Sequence, residues 1–165
     1  MTSTAIRQGR PADLLDANAG VSEEDRQLQE AVAHFARQRL RPGIAEWFEA
    51  GHFPAELAQE FGDLGVLGMH LKGYGCAGAS ATSYGLACLE LEAGDSGIRS
   101  LVSVQGSLAM YAIHRWGSEE QKQQWLPRMA AGEALGCFGL TEPDAGSDPG
   151  ARSPGSSSPS RSWPT

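Results

Sequence analysis

The order of the hydrophobic patterns along this chain constrains its fold more than any other feature. Between residues 22 and 133 apolar residues recur at the three- and four-residue spacing of amphipathic helices. Only from Ala134 to Leu140 does a short apolar run have the character of a strand. This order excludes an alternating βαβ fold. It predicts a mainly α fold, in which a helical domain is followed by the first strand of a second, β domain.

Several helix ends are marked by local chemistry. Ser22-Glu-Glu-Asp25 and Ser118-Glu-Glu-Gln121 have the form of capping boxes, and Gly51 and Gly132 are suited to helix ends. A further helix is predicted from about Ser80 to Ala93, with Tyr84 more suited to its core than to stacking on a cofactor. The next helix is predicted from about Ile98 to His114, with these residues facing inward: Leu101, Val104, Leu108 and Ala112.

We divide the chain into four parts. Residues 1–20 are predicted to be a flexible arm, and residues 21–133 the helical domain. Residues 134–151 begin the β domain with its loop. Residues 152–165 are rich in Ser, Pro, Arg and Gly and have no apolar period. This tail is interpreted either as a disordered extension or as the product of a reading-frame shift.

Composition excludes several classes of partner and site. The net charge of −7 argues against nucleic acid and anionic membranes as partners. No apolar run reaches membrane-spanning length, and the first residues lack the apolar core of a secretory signal, so we expect a cytoplasmic protein. The 3 cysteines have no CxxC spacing, which predicts free thiols. The histidines have no metal-ligand spacing, so no metal site is predicted.

The glycines from Gly73 to Gly78 match the pattern G-x-G-x-x-G, with a predicted helix after them. Such glycines can bring a backbone close to a pyrophosphate at a helix N-terminus. The stretch before them, however, is broken by Gly68 and follows helices, whereas a dinucleotide site requires a strand there. The segment is therefore either a dinucleotide loop or, in the interpretation that we prefer, a glycine-rich connection.

Arg99 and Ser103 are four residues apart, so they share one face of a helix. An arginine beside a hydroxyl can bind a carboxylate through charge-assisted hydrogen bonds. The alternative is a surface arginine paired with Asp95 across the preceding bend. Spacing alone leaves both interpretations open.

The segment after the predicted strand is suited to ligand binding. Thr141 and Ser147 supply hydroxyls, and Pro143 and Pro149 fix the ends of a loop around Gly146. A loop of this kind exposes backbone N–H groups to an anionic or heteroaromatic ligand.

Five segments of the chain together resemble one family. The run Gly139-Leu-Thr-Glu-Pro-Asp-Ala-Gly-Ser-Asp148 resembles the signature of the acyl-CoA dehydrogenases. The stretches at 117–122 and 126–133 resemble the segment that precedes this signature in the family. The stretches at 74–78 and 95–105 resemble the glutaryl-CoA dehydrogenase branch in particular. The resemblance extends from about Val21 to Gly150.

The resemblance implies an FAD-dependent reaction on an acyl-CoA. A glutamate removes the α proton, a hydride leaves the β carbon for the flavin, and decarboxylation can follow. It also implies a homo-oligomer that passes electrons to electron-transfer flavoprotein or a similar acceptor. The implied flavin-binding residues are Phe138, Gly139, Leu140 and Thr141. The implied substrate residues are Arg99, Ser100 and Ser103, which would hold the distal carboxylate of glutaryl-CoA, and Ser147, which would reach the acyl-CoA.

The chain also departs from the family pattern. No acid in it matches the catalytic glutamate, since Glu142 belongs to the signature loop, so no catalytic residue is assigned. We therefore expect an N-terminal portion of the enzyme, truncated or frame-shifted, that is inactive alone. The alternative is a non-catalytic helical module that binds acyl-CoA or a partner protein.

Overall fold

The computed structural model describes residues 20–141, and in this range the chain is built almost entirely from helices. The prediction of a mainly α fold is confirmed. The helices are α1 (Glu23–Phe35), α2 (Ile44–Ala50), α3 (Leu57–Asp63), α4 (Ala81–Glu92), α5 (Ser96–Ser103), α6 (Tyr111–Trp116) and α7 (Glu119–Ala130). Two π-helical segments extend them: Ala36–Leu40 follows α1, and Val104–Met110 joins α5 to α6.

Serine side chains begin three of these helices. The Oγ atoms of Ser22, Ser80 and Ser118 accept hydrogen bonds from backbone N–H groups in the first turns of α1, α4 and α7. At Ser118 the capping box is complete, because the Gln121 side chain accepts from the Ser118 N–H at 2.9 Å. These contacts satisfy N–H groups that have no partner within the helix, so local sequence fixes where the helices start.

The glycine-rich connection forms a β-hairpin. Strands β1 (Lys72–Gly73) and β2 (Cys76–Ala77) pair antiparallel across a two-residue turn. Tyr74 and Gly75 have φ angles of 53° and 82°, as a type I′ turn requires. The Tyr74 hydroxyl donates to the Glu119 carboxylate at 3.0 Å, which helps hold tyrosine in a conformation that favours glycine. The G-x-G-x-x-G pattern is thus a hairpin, and the two-residue strand at its start pairs only with β2, whereas a dinucleotide site would require a strand of a parallel sheet there.

The core has two parts. The larger lies among α1, α3, α4 and α5 and includes Phe61, whose ring packs edge-on against Phe35 with centroids 5.6 Å apart. The smaller lies between the hairpin and the last helices and is centred on Met110 and Leu126, both fully buried. Burial of such side chains contributes about 1.5–3 kcal/mol each, so the helical domain has a substantial core of its own.

The buried face of α5 and the π-helical segment differs from the predicted one. Leu108 is 44% exposed, and Leu101, Val104 and Ala112 are only half-buried. The buried residues are Ile98, Val102, Gln105, Gly106, Ala109 and Met110. The reason is a close approach of two backbones: a Cβ atom at Gly106 would lie 3.1 Å from Gly68, so the helix turns this glycine toward the Gly68 loop.

Residues 134–140, for which a strand is predicted, pair with no strand in the described range. The start of this segment is bonded to the end of α7, because the N–H groups of Glu133 and Ala134 donate to the Arg128 carbonyl at 2.9 and 3.2 Å. Gly132, with φ 75°, turns the chain out of α7. Ser147 and the rest of the signature loop after Thr141 lie outside the described residues.

Candidate functional site

Polar side chains face each other between α4 and the helix formed by α5 and the π-helical segment. On α4 they come at four-residue intervals, Tyr84, Cys88 and Glu92, so they share one face. Opposite them lie Arg99, Ser103 and Ser107, again four residues apart. We call these six residues the α4–α5 polar cluster. Of the predicted site residues, the structure brings Arg99 and Ser103 together here.

Arg99 is held by the helix opposite. Its Nε donates to Glu92 Oε2 at 2.6 Å, and its Nη1 lies 3.4 Å from Ser103 Oγ. The hydrogen bond from Ser96 and then that from Arg99 lower the pKa of the Glu92 carboxyl, while Glu92 raises the pKa of Arg99. The side chain of Arg99 is still 35% exposed, so it remains accessible to a ligand.

The predicted alternative partner of Arg99 is wrong. Asp95 does not pair with Arg99 but caps α5, with its Oδ1 accepting from the Ile98 N–H at 2.9 Å. A carboxylate at this position accepts from an N–H that has no partner within the helix, and it is stabilised by the positive end of the helix dipole. Asp95 therefore fixes the start of the helix that carries Arg99.

The hydroxyl of Ser103 is oriented by its neighbours. It accepts from Arg99 and from the Tyr84 hydroxyl, which lies 3.3 Å away. Because Tyr84 donates its one proton to Ser103, the 3.1 Å contact between Tyr84 and Ser107 has Ser107 as its donor. With both lone pairs of Ser103 in use, its hydrogen is free to donate. Arg99 and Ser103 thus form a pair of donors suited to a carboxylate.

Ser100 lies on a different face of α5. It follows Arg99 directly, so its side chain is turned by about 100° from that of Arg99. It is half-buried, and no described residue accepts or donates a hydrogen bond at its hydroxyl. A role for Ser100 at the distal carboxylate stays a prediction.

His70 packs beneath the cluster. Its ring lies 5.0 Å from that of Tyr84, and its Nδ1 is buried with no hydrogen-bond partner among the described residues. Burial, and secondarily the charge of His114, lower the pKa of His70 from its ordinary 6.5. The neutral ring is therefore the form that the folded chain accommodates.

We expect the free energy of unfolding to fall as the pH is lowered from 7 to 5. Since folding lowers the His70 pKa, the unfolded chain binds more protons than the folded chain in this range. The contribution of neutral His70 to the free energy of unfolding is therefore fully present above about pH 6.5 and is lost as the pH falls through the lower folded-state pKa. Urea denaturation at several pH values should show a smaller fall in His70→Gln than in the wild-type chain. His34→Gln, on an exposed position of α1, is the control. An unchanged pH slope in His70→Gln would contradict the assignment.

The predicted flavin-binding residues lie apart from this cluster, after α7. Phe138 and Leu140 are 53% and 50% exposed, and Gly139 and Thr141 are exposed as well. The Leu140 N–H donates to the Phe138 carbonyl at 3.1 Å, so it is already in use. Among the described residues, the Gly139 N–H and the Thr141 hydroxyl have no partner. Together with the face of Phe138, they could line one side of a heteroaromatic ligand.

Among the clefts of the described residues, two bear on the choice of site. One of about 350 Å³ lies beside Phe138, lined also by Ile113, Trp125 and Met129. Another of about 450 Å³ lies between α2 and the start of α5, where Trp47, Phe53 and Ile98 make it largely apolar. None of the predicted site residues lines the second cleft. The candidate site therefore consists of the cleft beside Phe138 and the α4–α5 polar cluster.

Residues 20–141 contain no group of three or more metal-ligating side chains placed to hold an ion. In the same range, no helix has the length and apolar character needed to cross a membrane. The described cysteines Cys76, Cys88 and Cys137 are free thiols, as predicted.

Sequence reasoning misses three residues near the predicted sites. From the sequence, Glu92 is only an acid inside a helix and Tyr84 only a core residue. Gln105, which is 1% exposed, has no predicted role. A polar residue on an otherwise apolar stripe is the signal that could have identified Gln105, because a buried amide requires partners.

Comparison with known proteins gives a consistent result. The family model described as "Acyl-CoA dehydrogenase, N-terminal domain" matches residues 22–133. A glutaryl-CoA dehydrogenase structure from Mycobacterium smegmatis is 67% identical with a TM-score of 0.81, covering 85% of this chain and 36% of that one. A second, in complex with FADH2, is 61% identical with a TM-score of 0.82, covering 86% and 36%.

A curated relative is more distant. The short-chain-specific acyl-CoA dehydrogenase of Clostridium acetobutylicum is 38% identical over 135 residues, which are 80% of this chain and 35% of that protein. The chain thus spans about a third of the length of the relatives that it matches.

Proposed function

Because the chain belongs to the acyl-CoA dehydrogenase family through its N-terminal domain, we propose that it serves the FAD-dependent α,β-oxidation of a dicarboxylyl-CoA, with glutaryl-CoA as the substrate that fits best. The observation that carries this proposal is the open donor pair of Arg99 and Ser103. The high identity to two glutaryl-CoA dehydrogenases supports the same substrate.

The acyl end of the substrate would lie against the α4–α5 polar cluster. A carboxylate at Arg99 gains charge-assisted hydrogen bonds from the guanidinium and the Ser103 hydroxyl. A purely aliphatic acyl chain would leave Arg99 with Glu92 as its only anionic partner in the cluster and would gain nothing from it. The arrangement therefore favours a dicarboxylyl group over a fatty acyl group. This argument from contacts does not include Ser100 and Ser147. They are proposed as substrate residues from the family resemblance alone.

The residues after α7 fit one side of an FAD site. Phe138 offers an exposed ring, and Gly139 and Thr141 offer free donors for the polar edge of the flavin. Leu140 contributes contact area, since its N–H is already bonded. FAD, when bound, supplies the two-electron oxidant of the reaction. A solved relative that contains FADH2 supports this cofactor.

We further propose that the chain alone does not turn over substrate. Glu92 is the acid of the described polar cluster, and its ion pair with Arg99 and lowered pKa make it a poor base for removing an α proton. An acceptor-reduction assay with FAD and glutaryl-CoA tests this. Sustained turnover by the purified chain would contradict it.

Other protein surfaces would complete the enzyme. Large apolar side chains remain exposed toward the end of the described chain, among them Trp116 at 73% and Leu135 at 50%. Surfaces of this kind suit protein contacts. We propose that the complete enzyme is a homo-oligomer that transfers electrons to an electron-transfer flavoprotein. A cytoplasmic location stays a prediction.

The proposal is tested by comparing two ligands. Isothermal titration of the chain, with FAD present, should give tighter binding of glutaryl-CoA than of hexanoyl-CoA, which lacks the distal carboxylate. Equal binding of both would contradict the dicarboxylyl assignment. Repeating the titration without FAD separates the flavoenzyme from the alternative of a flavin-independent acyl-CoA-binding module, since the latter requires unchanged affinity.

A further inference from the structure

Gln105 lies at a junction of three elements. It is 1% exposed and sits in the π-helical segment between α5 and α6. Its Nε2 donates to the carbonyl of Met129 at 3.2 Å and to that of Ala134 at 2.8 Å. Its Oε1 accepts from the Gly136 N–H at 2.7 Å. Both amide hydrogens are used, so this side chain joins the π-helical segment to the end of α7 and to the chain beyond it.

The pattern of these bonds is that of a strand partner. The Ala134 carbonyl and the Gly136 N–H belong to residues i and i+2, the two groups that one residue of a neighbouring parallel strand would bind through its own N–H and C=O. Here the side-chain amide of Gln105 takes the place of the backbone N–H and C=O of that residue. This explains how a segment with a strand-like sequence is held in place although no strand in the described range pairs with it.

Packing restricts the same segment. A Cβ atom at Gly136 would lie 2.5 Å from the Ala109 Cβ and 2.8 Å from the Met129 Cε. The chain at residue 136 is therefore pressed against α7 and the π-helical segment at the point where Gln105 binds it. After Gly136, no described residue of the helices forms a hydrogen bond to residues 137–141.

The helix that carries Gln105 also carries Arg99 and Ser103. Gln105 is six positions after Arg99, a rise of about 9 Å along a helix. Arg99 faces α4, whereas Gln105 faces α7 and residues 134–136. One continuous helix thus presents the acyl-binding donors on one face and holds the start of the flavin-binding stretch with the other.

We propose that Gln105 is a positioning residue that sets the place of the flavin-binding stretch, Phe138 to Thr141, relative to the acyl-binding donors. This inference rests on the proposed function, because it assumes that FAD binds at that stretch. Gln105 itself does not touch the flavin. It acts through the backbone at Ala134 and Gly136.

The test uses the full chain and two variants of nearly the same shape. Gln105→Leu removes every hydrogen bond, and Gln105→Glu keeps an acceptor for Gly136 but cannot donate when ionised. Gln123→Leu, on α7, removes only a hydrogen bond to Glu119 that links two exposed residues and is the matched control. Circular dichroism establishes the temperature at which each variant is folded. Amide hydrogen exchange at Gly136 and FAD binding by fluorescence are then measured at that temperature.

We expect exchange at Gly136 to accelerate at least tenfold in Gln105→Leu, and its Kd for FAD to rise at least tenfold, with Gln123→Leu unchanged. In Gln105→Glu, the affinity for FAD should increase as the pH falls from 8 to 5.5, because a protonated carboxyl regains a donor. Circular dichroism at each pH establishes that the variant stays folded, so a change in global stability does not produce this pH profile.

Three results would overturn the inference. Unchanged exchange at Gly136 in folded Gln105→Leu would show that the side chain does not hold the segment. Faster exchange with an unchanged Kd for FAD would show that it holds the segment without positioning the flavin. A wild-type chain that binds no FAD would overturn the positioning role together with the flavin part of the proposed function, even where the exchange result shows that Gln105 holds the segment.

Discussion

Replacing Arg99 with methionine is expected to remove the preference of the chain for glutaryl-CoA. Hydrogen bonds to a charged group contribute about 1.5–3 kcal/mol, which corresponds to roughly 10- to 150-fold in affinity. The affinity for glutaryl-CoA should fall by that factor, while the affinity for hexanoyl-CoA should change less than about twofold, since no carboxylate reaches Arg99 in that ligand. Isothermal titration at one fixed salt concentration measures both.

Arg128→Met is the matched control for this substitution. Arg128 also has an acidic neighbour, Glu133 at 3.9 Å, and lies over the Trp125 ring at 5.5 Å, but it is on α7, away from the polar cluster. Arg128→Met should leave both affinities unchanged. Arg99→Lys should recover only part of the glutaryl-CoA affinity, because lysine lacks the planar fork. An equal loss for both ligands in Arg99→Met would indicate damage to the fold and would contradict the assignment.

Replacing Gly132 with alanine is expected to destabilise the fold far more than the same change at a glycine with open space around it. Gly132 has a φ of 75°, and an added Cβ would lie 2.0 Å from the Ala58 carbonyl oxygen. That neighbour is backbone, so no flexible side chain can move aside, and α3 must separate from the end of α7. The expected cost is more than about 3 kcal/mol, combining strain with lost packing.

Substitutions at two other glycines separate the cost of backbone strain from the cost of the steric clash. Gly51 also has a positive φ, 58°, but nothing lies within 4 Å of an added Cβ, so Gly51→Ala should cost only the strain of about 1–2 kcal/mol. Gly85 is exposed within α4 and has open space, so Gly85→Ala should stabilise by about 0.5–1 kcal/mol. Urea denaturation measures all three. If Gly132→Ala costs no more than Gly51→Ala, the close crossing of α3 and α7 is contradicted.

The sequence predicts the helix boundaries well because they depend on neighbours within a few residues. Ser22 and Ser118 bind N–H groups three positions along the chain, and Gly51 adopts the left-handed conformation that ends α2. Capping chemistry is complete within a single turn, so it needs no knowledge of the tertiary structure.

The inward face of the long helix could not be predicted in the same way. Leu108 and Leu101 are the larger aliphatic residues, yet the stripe that contains Gly106 and Gln105 is the buried one. The deciding contact is the approach of Gly68, a residue 38 positions earlier, to Gly106. Hydrophobic periodicity reports which positions are apolar and contains no information about such a backbone contact.

The candidate site shows the same division. Four-residue spacing correctly places Arg99 beside Ser103, since both lie on one helix. The ion pair with Glu92 depends on how α4 packs on α5, and the sequence suggested the nearer acid, Asp95, which instead caps the helix. The partners of Gln105 lie 24 to 31 residues away and could not be assigned before the fold was known.

The central claim is that Arg99 and Ser103 bind the distal carboxylate of a dicarboxylyl-CoA. The most direct measurement is nuclear magnetic resonance of the arginine Nε–H groups, with the Arg99 resonance assigned by its loss in Arg99→Met, during titration of the chain with glutaryl-CoA. We predict that the Arg99 Nε–H resonance shifts and saturates with glutaryl-CoA, but not with hexanoyl-CoA. The resonance of Arg39, whose Nε donates to Glu60 at 2.8 Å outside the polar cluster, should stay in place. An Arg99 resonance that does not move with glutaryl-CoA at saturating binding would contradict the claim.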